Sequence, residues 1–341
     1  GRAKDYSDRT VTSIFIGGGT PSLLSGEQIG QLMDRIREQF AMAQDAEITM
    51  EVNPGTASAE KLRNFYTAGI NRLSIGMQSA QAEELKNLGR IHDFEGFCQV
   101  YREAVEAGFT NINVDIMSGL PGQTLASYRD TLEKVLHLEP MPQHISAYSL
   151  IVEEGTPFAA MAERGELPLP EEETERAMYE ETIEVLAKYG FHRYEISNYA
   201  RDGYECRHNV GYWIRRDYLG FGIGAASLID NVRFQNEKSL GAYLAHPLES
   251  REEEQTLTVQ DRMEETMFLG LRLTRGVSCV DFAEQYGRTV EEVYGEVIAR
   301  NVADGLLTVT ERKENQKKDR FLALTKRGLD LSNYVMAQFL F

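Results

Sequence analysis

Five short apolar or β-branched runs punctuate the first half of the chain: Val11–Ile16, Glu47–Val52, Arg72–Met77, Asn111–Met117 and His144–Ile151. Between them lie stretches with apolar residues at helical spacing: Ser25–Phe40, Ser58–Ala68, Gln81–Leu88, Phe94–Ala107 and Thr124–Leu138. Strand-then-helix alternation predicts βαβ units and a parallel sheet. Several helices carry their own punctuation. Ser25 with Gln28 three residues on reads as a capping box, Ser58 as an N-cap, and the Ala-Gly pairs at 68–69 and 107–108 as C-terminal stops. The strands end in Gly17-Gly18-Gly19, Asn53-Pro54-Gly55, Gln78 and the region of Asp115. That edge of a parallel sheet or barrel is where ligands sit.

A break follows at Glu153–Pro170, rich in Gly and Pro, and Glu171-Glu172-Glu173 then opens a helix over Thr174–Tyr189, its acids placed to suit the helix dipole. Phe191–Leu228 predicts further strands joined by polar turns. The character changes near Val259. Two helices, Val280–Tyr286 and Val290–Asn301, precede Leu306–Thr310, a charged turn, Arg320–Leu324 and a final helix, the order of a winged-helix-like module. From Gly276 to Phe341 there are nine Lys/Arg and ten Asp/Glu, so the wing lacks the basic stripe of a DNA reader and reads as a packing or lid domain.

Composition narrows the classes. The 341 residues carry 53 acidic and 36 basic side chains, a net charge of −17 that argues against non-specific nucleic-acid binding. Three cysteines, at 98, 206 and 279, form no disulfide framework and point to a reduced, cytoplasmic setting. No apolar run reaches the roughly 20 residues a membrane span needs. The chain begins with Gly1, and the expectation is that residues are missing from its front.

The candidate chemistry lies at the strand ends. A glycine turn directly after Val11–Ile16 lets a ligand approach the backbone, although it also suits a plain tight turn. Glu51 interrupts an apolar strand, Gln78 ends another, and Asp115 sits inside a third, with Arg90 nearby in sequence. Buried carboxylates need partners. They are met either by a polar ligand or by an internal Arg90–Asp115 pair that is scaffolding alone. No nucleophile elbow surrounds Ser74, Ser79 or Ser118, which disfavours a hydrolase.

In order, Ile-Gly-Gly-Gly-Thr-Pro-Ser, Glu-Val-Asn-Pro, Arg-Leu-Ser-Ile-Gly-Met-Gln-Ser, Leu-Gly-Arg-Ile-His, Val-Asp-Ile-Met-Ser-Gly-Leu-Pro-Gly-Gln-Thr and Ile-Ser-Ala-Tyr-Ser-Leu resemble radical S-adenosylmethionine (SAM) proteins. The nearest branch is that of oxygen-independent coproporphyrinogen III oxidase and the HemW haem chaperones. The resemblance implies an α/β fold: an incomplete (β/α) radical-SAM-type barrel over 1–235 and a small C-terminal winged-helix-like domain over 236–341. It implies that Gly18, Gly19 and Thr20 hold the methionine end of SAM, and that Glu51, Gln78, Arg90 and Asp115 bind its polar groups and ribose. Ser149 and Ala226 match contacts near the adenosine. The family's [4Fe–4S] cluster hangs on Cys-x-x-x-Cys-x-x-Cys, three thiolates that leave one iron open. Here the cysteines are 108 and 73 residues apart, and only sixteen residues precede Gly17, so the cluster cysteines are absent from this chain and the resemblance implies a fragment.

Cys206-Arg207-His208-Asn209-Val210-Gly211-Tyr212-Trp213 carries His-Asn-x-x-Tyr-Trp, which resembles the signature of the haem-chaperone branch and is lacking in the oxidases. The resemblance implies haem ligated through iron by His208, an imidazole oriented by Asn209, and a flat apolar face from Tyr212 and Trp213. Cys206 is a secondary ligand candidate, and Tyr199 and Tyr204 are candidates to line the same cavity. A hydrogen-bonded histidine packed beside two aromatics is the alternative. The expected function is that of a haem chaperone with SAM and a [4Fe–4S] cluster, partnered by haem and haem-accepting proteins and not by nucleic acid. Peripheral membrane association through such partners stays open. The rival is radical oxidative decarboxylation by a coproporphyrinogen oxidase.

Overall fold

In a strand, alternate side chains face opposite ways, and here that alternation separates core from lumen. The computed structural model describes Tyr6 and residues 8–246, 251–314 and 317–341; the Gly1–Lys4 start lies outside them. The described residues fall into two compact units, one drawn from Ala3–Arg193 and Ser197–Glu205, the other from Tyr194–Ile196 and Cys206–Phe341.

In the first unit, β1 (Thr10–Ile16), β2 (Ala41–Val52), β3 (Arg72–Gln78), β4 (Ile112–Ser118) and β5 (His144–Ser149) pair in sequence order, all parallel. Short antiparallel strands β6 (His192–Arg193) and β7 (Asn198–Ala200) extend the sheet to the order β1-β2-β3-β4-β5-β7-β6. β1 and β6 are its edges, so the curled sheet is a half-barrel that does not close. The connecting helices are α1 (Gly26–Gln39), α2 (Ala59–Thr67), α3 (Ala82–Asn87), α4 (Phe94–Ala107) and α5 (Leu125–Leu136), followed by α6 (Pro157–Glu163) and α7 (Glu172–Lys188). The expected caps form: Ser25 and Gln28 make the capping box, Ser58 accepts from the Lys61 N–H, and Gly108 takes φ 108° after α4.

Ile48, Met50, Val52, Leu73, Ile75, Met77, Ile112, Val114, Ile116 and Ile145 face the helices and pack against Ile29, Leu62, Phe65, Phe97 and Leu132 in one core. The intervening positions line the inside of the half-barrel and are largely polar: Glu47, Thr49 and Glu51; Arg72, Ser74 and Gln78; Asn113 and Asp115; His144, Ser146 and Tyr148. A parallel sheet covered on both faces reads as continuous apolar runs. This one is interrupted by charge because only one face is packed with helices.

Three expectations are corrected. The Gly/Pro-rich break holds α6, where Thr156 is the N-cap and Pro157 takes the first turn, so a proline read as a breaker is a start signal. The stretch expected to be strands from Phe191 to Leu228 contains a helix, α8 (Arg207–Trp213), on which the His-Asn-x-x-Tyr-Trp motif lies. Its Asn, Gly and aromatic residues are weak helix formers. Tyr199, a candidate cavity residue, is 2% exposed in the helix-facing core of the first unit.

In the second unit, β8 (Ala226–Ile229), β9 (Val232–Asn236) and, beyond α9 (Leu240–Ala245), β10 (Arg251–Thr256) make an antiparallel sheet. Next come α10 (Val259–Gly270), β11 (Val277–Ser278), α11 (Cys279–Tyr286), α12 (Val290–Ala303), the hairpin β12 (Leu307–Glu314) and β13 (Lys317–Leu324), then α13 (Lys326–Asp330) and α14 (Ser332–Ala337). The wing is longer than its apolar run. Most of the predicted charged turn is strand, because Glu311 pairs with Arg320 and Arg312 with Asp319 across the rungs; the tip, 315–316, lies outside the described residues. Met267, Leu271, Phe282, Tyr294, Leu322 and Phe339 form this unit's own core.

Candidate functional site

The glycine turn follows β1 because Gly17 stands where no side chain fits. A Cβ there would meet the Phe15 ring at 2.8 Å and the Glu51 carboxyl at 2.9 Å. Gly18 and Gly19 take φ 80° and 90°, and a Cβ on either meets nothing within 4 Å, so the turn is an open cradle of backbone groups. Glu51 closes it from below, accepting from the Gly18 N–H at 3.3 Å. The turn is tied down from outside the lumen. Ser22 Oγ accepts from the Asn53 N–H at 3.0 Å, and the Lys61 ammonium donates to the carbonyls of Ser22, Leu23 and Thr56 at 2.9–3.2 Å. Thr20 starts the short 3-10 turn Pro21–Leu23.

Across the lumen, Asp115 accepts from Asn113 Nδ2 at 2.7 Å and from the Ser74 hydroxyl at 3.3–3.4 Å. Burial pushes its carboxyl above the usual range, although Asn113, Ser146, the Arg72 charge and Ser74 pull the other way. Glu51 is also pushed up by burial, opposed by the Gly18 N–H and reinforced by Asp115. Among the described residues Asp115 forms no ion pair with Arg90, so the internal-scaffold alternative is not what the strands build. Behind Asp115, fully buried His144 donates from Nδ1 to Asn113 Oδ1 at 2.6 Å. That donor is required because the Asn113 amide already points Nδ2 at Asp115 and Ser74. Burial, with Arg72 adding to it, holds His144 far below the ordinary histidine value and hence neutral.

Tyr148 is the residue that motif reading missed. Its hydroxyl donates to Gln78 Oε1 at 3.0 Å. Burial makes its hydroxyl a weaker acid than an ordinary phenol, and the charges of Asp115, Arg90 and Glu51 all act on it. Four expected ligand residues therefore converge on one phenol. The register Met117↔Tyr148 puts it on the lumen side, while neighbouring Ser149 bonds Ser118 Oγ at 3.0 Å. Gln78, 4% exposed, has φ 68°, a conformation that costs a side-chain-bearing residue on the order of 1–3 kcal/mol. Ala226, in the other unit, begins β8 and is exposed.

In that second unit, His208 and Tyr212 stand one turn apart on α8, rings edge to face at 4.8 Å, with His208 Nε2 3.1 Å from the Tyr212 hydroxyl. Tyr218 packs edge-on against Tyr212 at 4.7 Å, and burial raises the Tyr212 hydroxyl. Trp213 turns elsewhere. Arg272 stacks over its indole at 4.3 Å, and Trp213 lines a cavity of about 450 Å³ with Val277, Val280, Phe282 and Phe321. Asn209 is half-buried one turn before Trp213, and Cys206, fully buried, is the N-cap.

The Radical SAM superfamily profile matches residues 2–135 and the HemN C-terminal domain profile residues 257–331. The heme chaperone HemW of Bacillus subtilis (strain 168) is 39% identical over 337 residues, covering 97% of this chain and 86% of that protein. This chain belongs to the HemW family. The HemW of Escherichia coli (strain K12) is 37% identical over 308 residues, 88% of this chain and 78% of its own. A solved structure described as coproporphyrinogen III oxidase (HemN) from Escherichia coli, a radical SAM enzyme, matches with a TM-score of 0.82 at 26% identity, covering 99% of this chain and 80% of its own.

For a HemW family member the two halves of the cofactor set test differently. The donor set on the lumen face is of the kind SAM calls for: two open glycines, two carboxylates, an amide and a phenol. A cluster does not fit this chain's cysteines. Cys206 is buried, Cys98 and Cys279 are half-buried with thiols pushed up by burial, and no trio of His, Cys, Asp or Glu is gathered for a metal among the described residues. Nor is any helix there long and apolar enough to cross a membrane.

Proposed function

We propose that the chain acts as a haem chaperone: it holds haem on α8 and releases it to haem-requiring acceptor proteins, with SAM seated on the polar face of the half-barrel. The observation that carries the haem half is the His208–Tyr212 pair. Axial ligation needs a neutral imidazole nitrogen with an accessible lone pair. His208 Nε2 lies 3.1 Å from the Tyr212 hydroxyl, on a half-exposed helix that solvent reaches. Tyr212 would have to turn aside for that nitrogen to ligate haem iron. A nitrogen with a weak internal partner suits a carrier that must let go.

When bound, SAM supplies a cationic sulfonium and a ribose diol. Glu51 and Asp115 would complement the cation and accept from the diol, and burial raises both carboxyls. Arg90 offers its charge to the methionine carboxylate, and the Gly18–Thr20 backbone offers N–H and C=O groups to the same end. Gln78 and Tyr148, bonded to each other, would offer the ligand an amide and a phenol. A second reading, oxygen-independent coproporphyrinogen III oxidase, is favoured by the 0.82 TM-score to that enzyme.

Haem titration of the chain against His208→Ala separates these at the ligand. The variant is expected to lose the Soret shift of the parent; an unchanged shift removes His208 as ligand. Anaerobic incubation of full-length, cluster-reconstituted protein with SAM and coproporphyrinogen III is expected to leave the porphyrinogen intact. Formation of protoporphyrinogen IX reverses the ranking.

A further inference from the structure

The end of β3 is bent in an unusual way, and the bend is held by a buried carboxylate that no ligand contact explains. The Ser79 N–H donates to the Met77 carbonyl at 2.9 Å across Gln78, whose φ is 68°. A three-residue bond over a positive φ is the rare, strained form of the γ-turn. The ladder slips at the same point: Gly76 pairs with Asp115 but Gln78 with Ile116. The turn thus re-aims one side chain, carrying the Gln78 amide to Tyr148 at 3.0 Å.

The outside of the turn is tied to Glu84, on α3 and 5% exposed. Its Oε2 accepts from Ser79 Oγ at 2.6 Å and from Gln123 Nε2 at 3.0 Å, and its Oε1 accepts from Ser127 Oγ at 2.6 Å. Ser79 Oγ in turn accepts from the Gln81 N–H at 2.9 Å, and the Met77 carbonyl takes a second bond from His92 Nε2 at 3.3 Å. A carboxylate is an acceptor only, so it fixes every donor around it in one direction. Buried with three donors, it is satisfied, and its bond to Ser79 is applied directly beside the strained residue. Strain persists only where the surroundings over-determine it.

We propose that Glu84 is a positioning residue of the SAM site, holding the turn at 77–79 through Ser79 so that Gln78 faces the lumen. The proposal rests on SAM binding at that face. Glu84 is on the far side of β3 from the lumen groups Glu51 and Asp115, and touches none of them in the hydrogen-bond network above. Its effect is conveyed by geometry and not by charge. Glutamine in its place keeps an oxygen for Ser79 and Gln123 and turns its amide toward Ser127, whose hydroxyl can rotate to accept.

The test is calorimetric titration of SAM into the parent chain, Glu84→Ala, Glu84→Gln and Ser79→Ala, with the thermal midpoint of each recorded. Glu84→Ala and Ser79→Ala are expected to weaken SAM about tenfold, the usual effect of losing an outer-shell partner, and Glu84→Gln to restore most of it. A merely structural brace would lower the midpoint and leave the affinity of the folded protein alone. The decisive arm is Gln78→Gly, which relaxes the turn and removes its side chain. In that background Glu84→Ala adds no further loss. Equal losses in both backgrounds, or parent-like affinity in Ser79→Ala, overturn the proposal. A parent chain that does not take up SAM at all overturns instead the reading of the site on which it rests.

Discussion

A missing side chain can be as specific as a present one. Gly17 leaves room for the Glu51 carboxyl, which a Cβ would approach to 2.9 Å. Gly17→Ala is therefore expected to push Glu51 off the Gly18 N–H and to weaken SAM by about tenfold, with little change in melting; calorimetric binding checks it, and parent-like affinity would show that Glu51 does not face the ligand. His144 makes a claim about pH. Its folded-state value is depressed well below the ordinary 6.5 by burial. The fold holds it neutral while the unfolded chain takes a proton, so its contribution is complete above about pH 6.5 and is lost as pH falls through that value, at up to ~1.4 kcal/mol per pH unit. Denaturant titrations from pH 7.5 down to 5.5 should show a slope shallower by about one proton in His144→Asn than in the parent. Equal slopes would mean that the imidazole titrates in the fold as it does in the unfolded chain.

Among the elements, α8 joins two tasks. His208 and Tyr212 share one face and Trp213 lines the cavity of the winged unit from another. Tyr212→Phe removes the hydroxyl that occupies Nε2, and haem is expected to bind as tightly as in the parent or up to ~tenfold tighter, the worth of one hydrogen bond. Weaker binding, read from the Soret titration, would make the Tyr212 oxygen itself a ligand. The strands and their caps were legible in the sequence because they are written locally, in apolar runs, in Ser25 with Gln28, and in Gly108. Glu51, Gln78 and Asp115 were legible for the same reason, each a polar residue breaking an apolar run. Tyr148 was not. Its place depends on the pairing Met117↔Tyr148, a long-range register, and a tyrosine in a strand is ordinary. The role of Glu84 was equally hidden, since a glutamate near the start of a helix normally serves the helix dipole. The helicity of α8 was missed because glycine, asparagine and aromatics predict something else.

At the scale of the molecule, each unit has its own core, and the chain's one tryptophan, Trp213, lies in the winged unit. Phe282→Ala opens that core, where Phe282 is 1% exposed, at about 3–5 kcal/mol. It should lower the midpoint reported by Trp213 fluorescence more than the midpoint reported by far-ultraviolet dichroism, to which both units contribute. Coincident shifts would make the two units one cooperative body. In the half-barrel, alternation divides labour residue by residue: in each strand one set of side chains meets the helices and the next meets the lumen. A substitution at an open lumen position such as Glu51 therefore spends little of the packing that holds the protein together, while its immediate neighbours Met50 and Val52 spend a great deal. Random mutagenesis along β2 to β5 should consequently give tolerance with a period of two. A scaffold with that grain can be retuned from one small molecule to another by changing half of each strand, without refolding the rest.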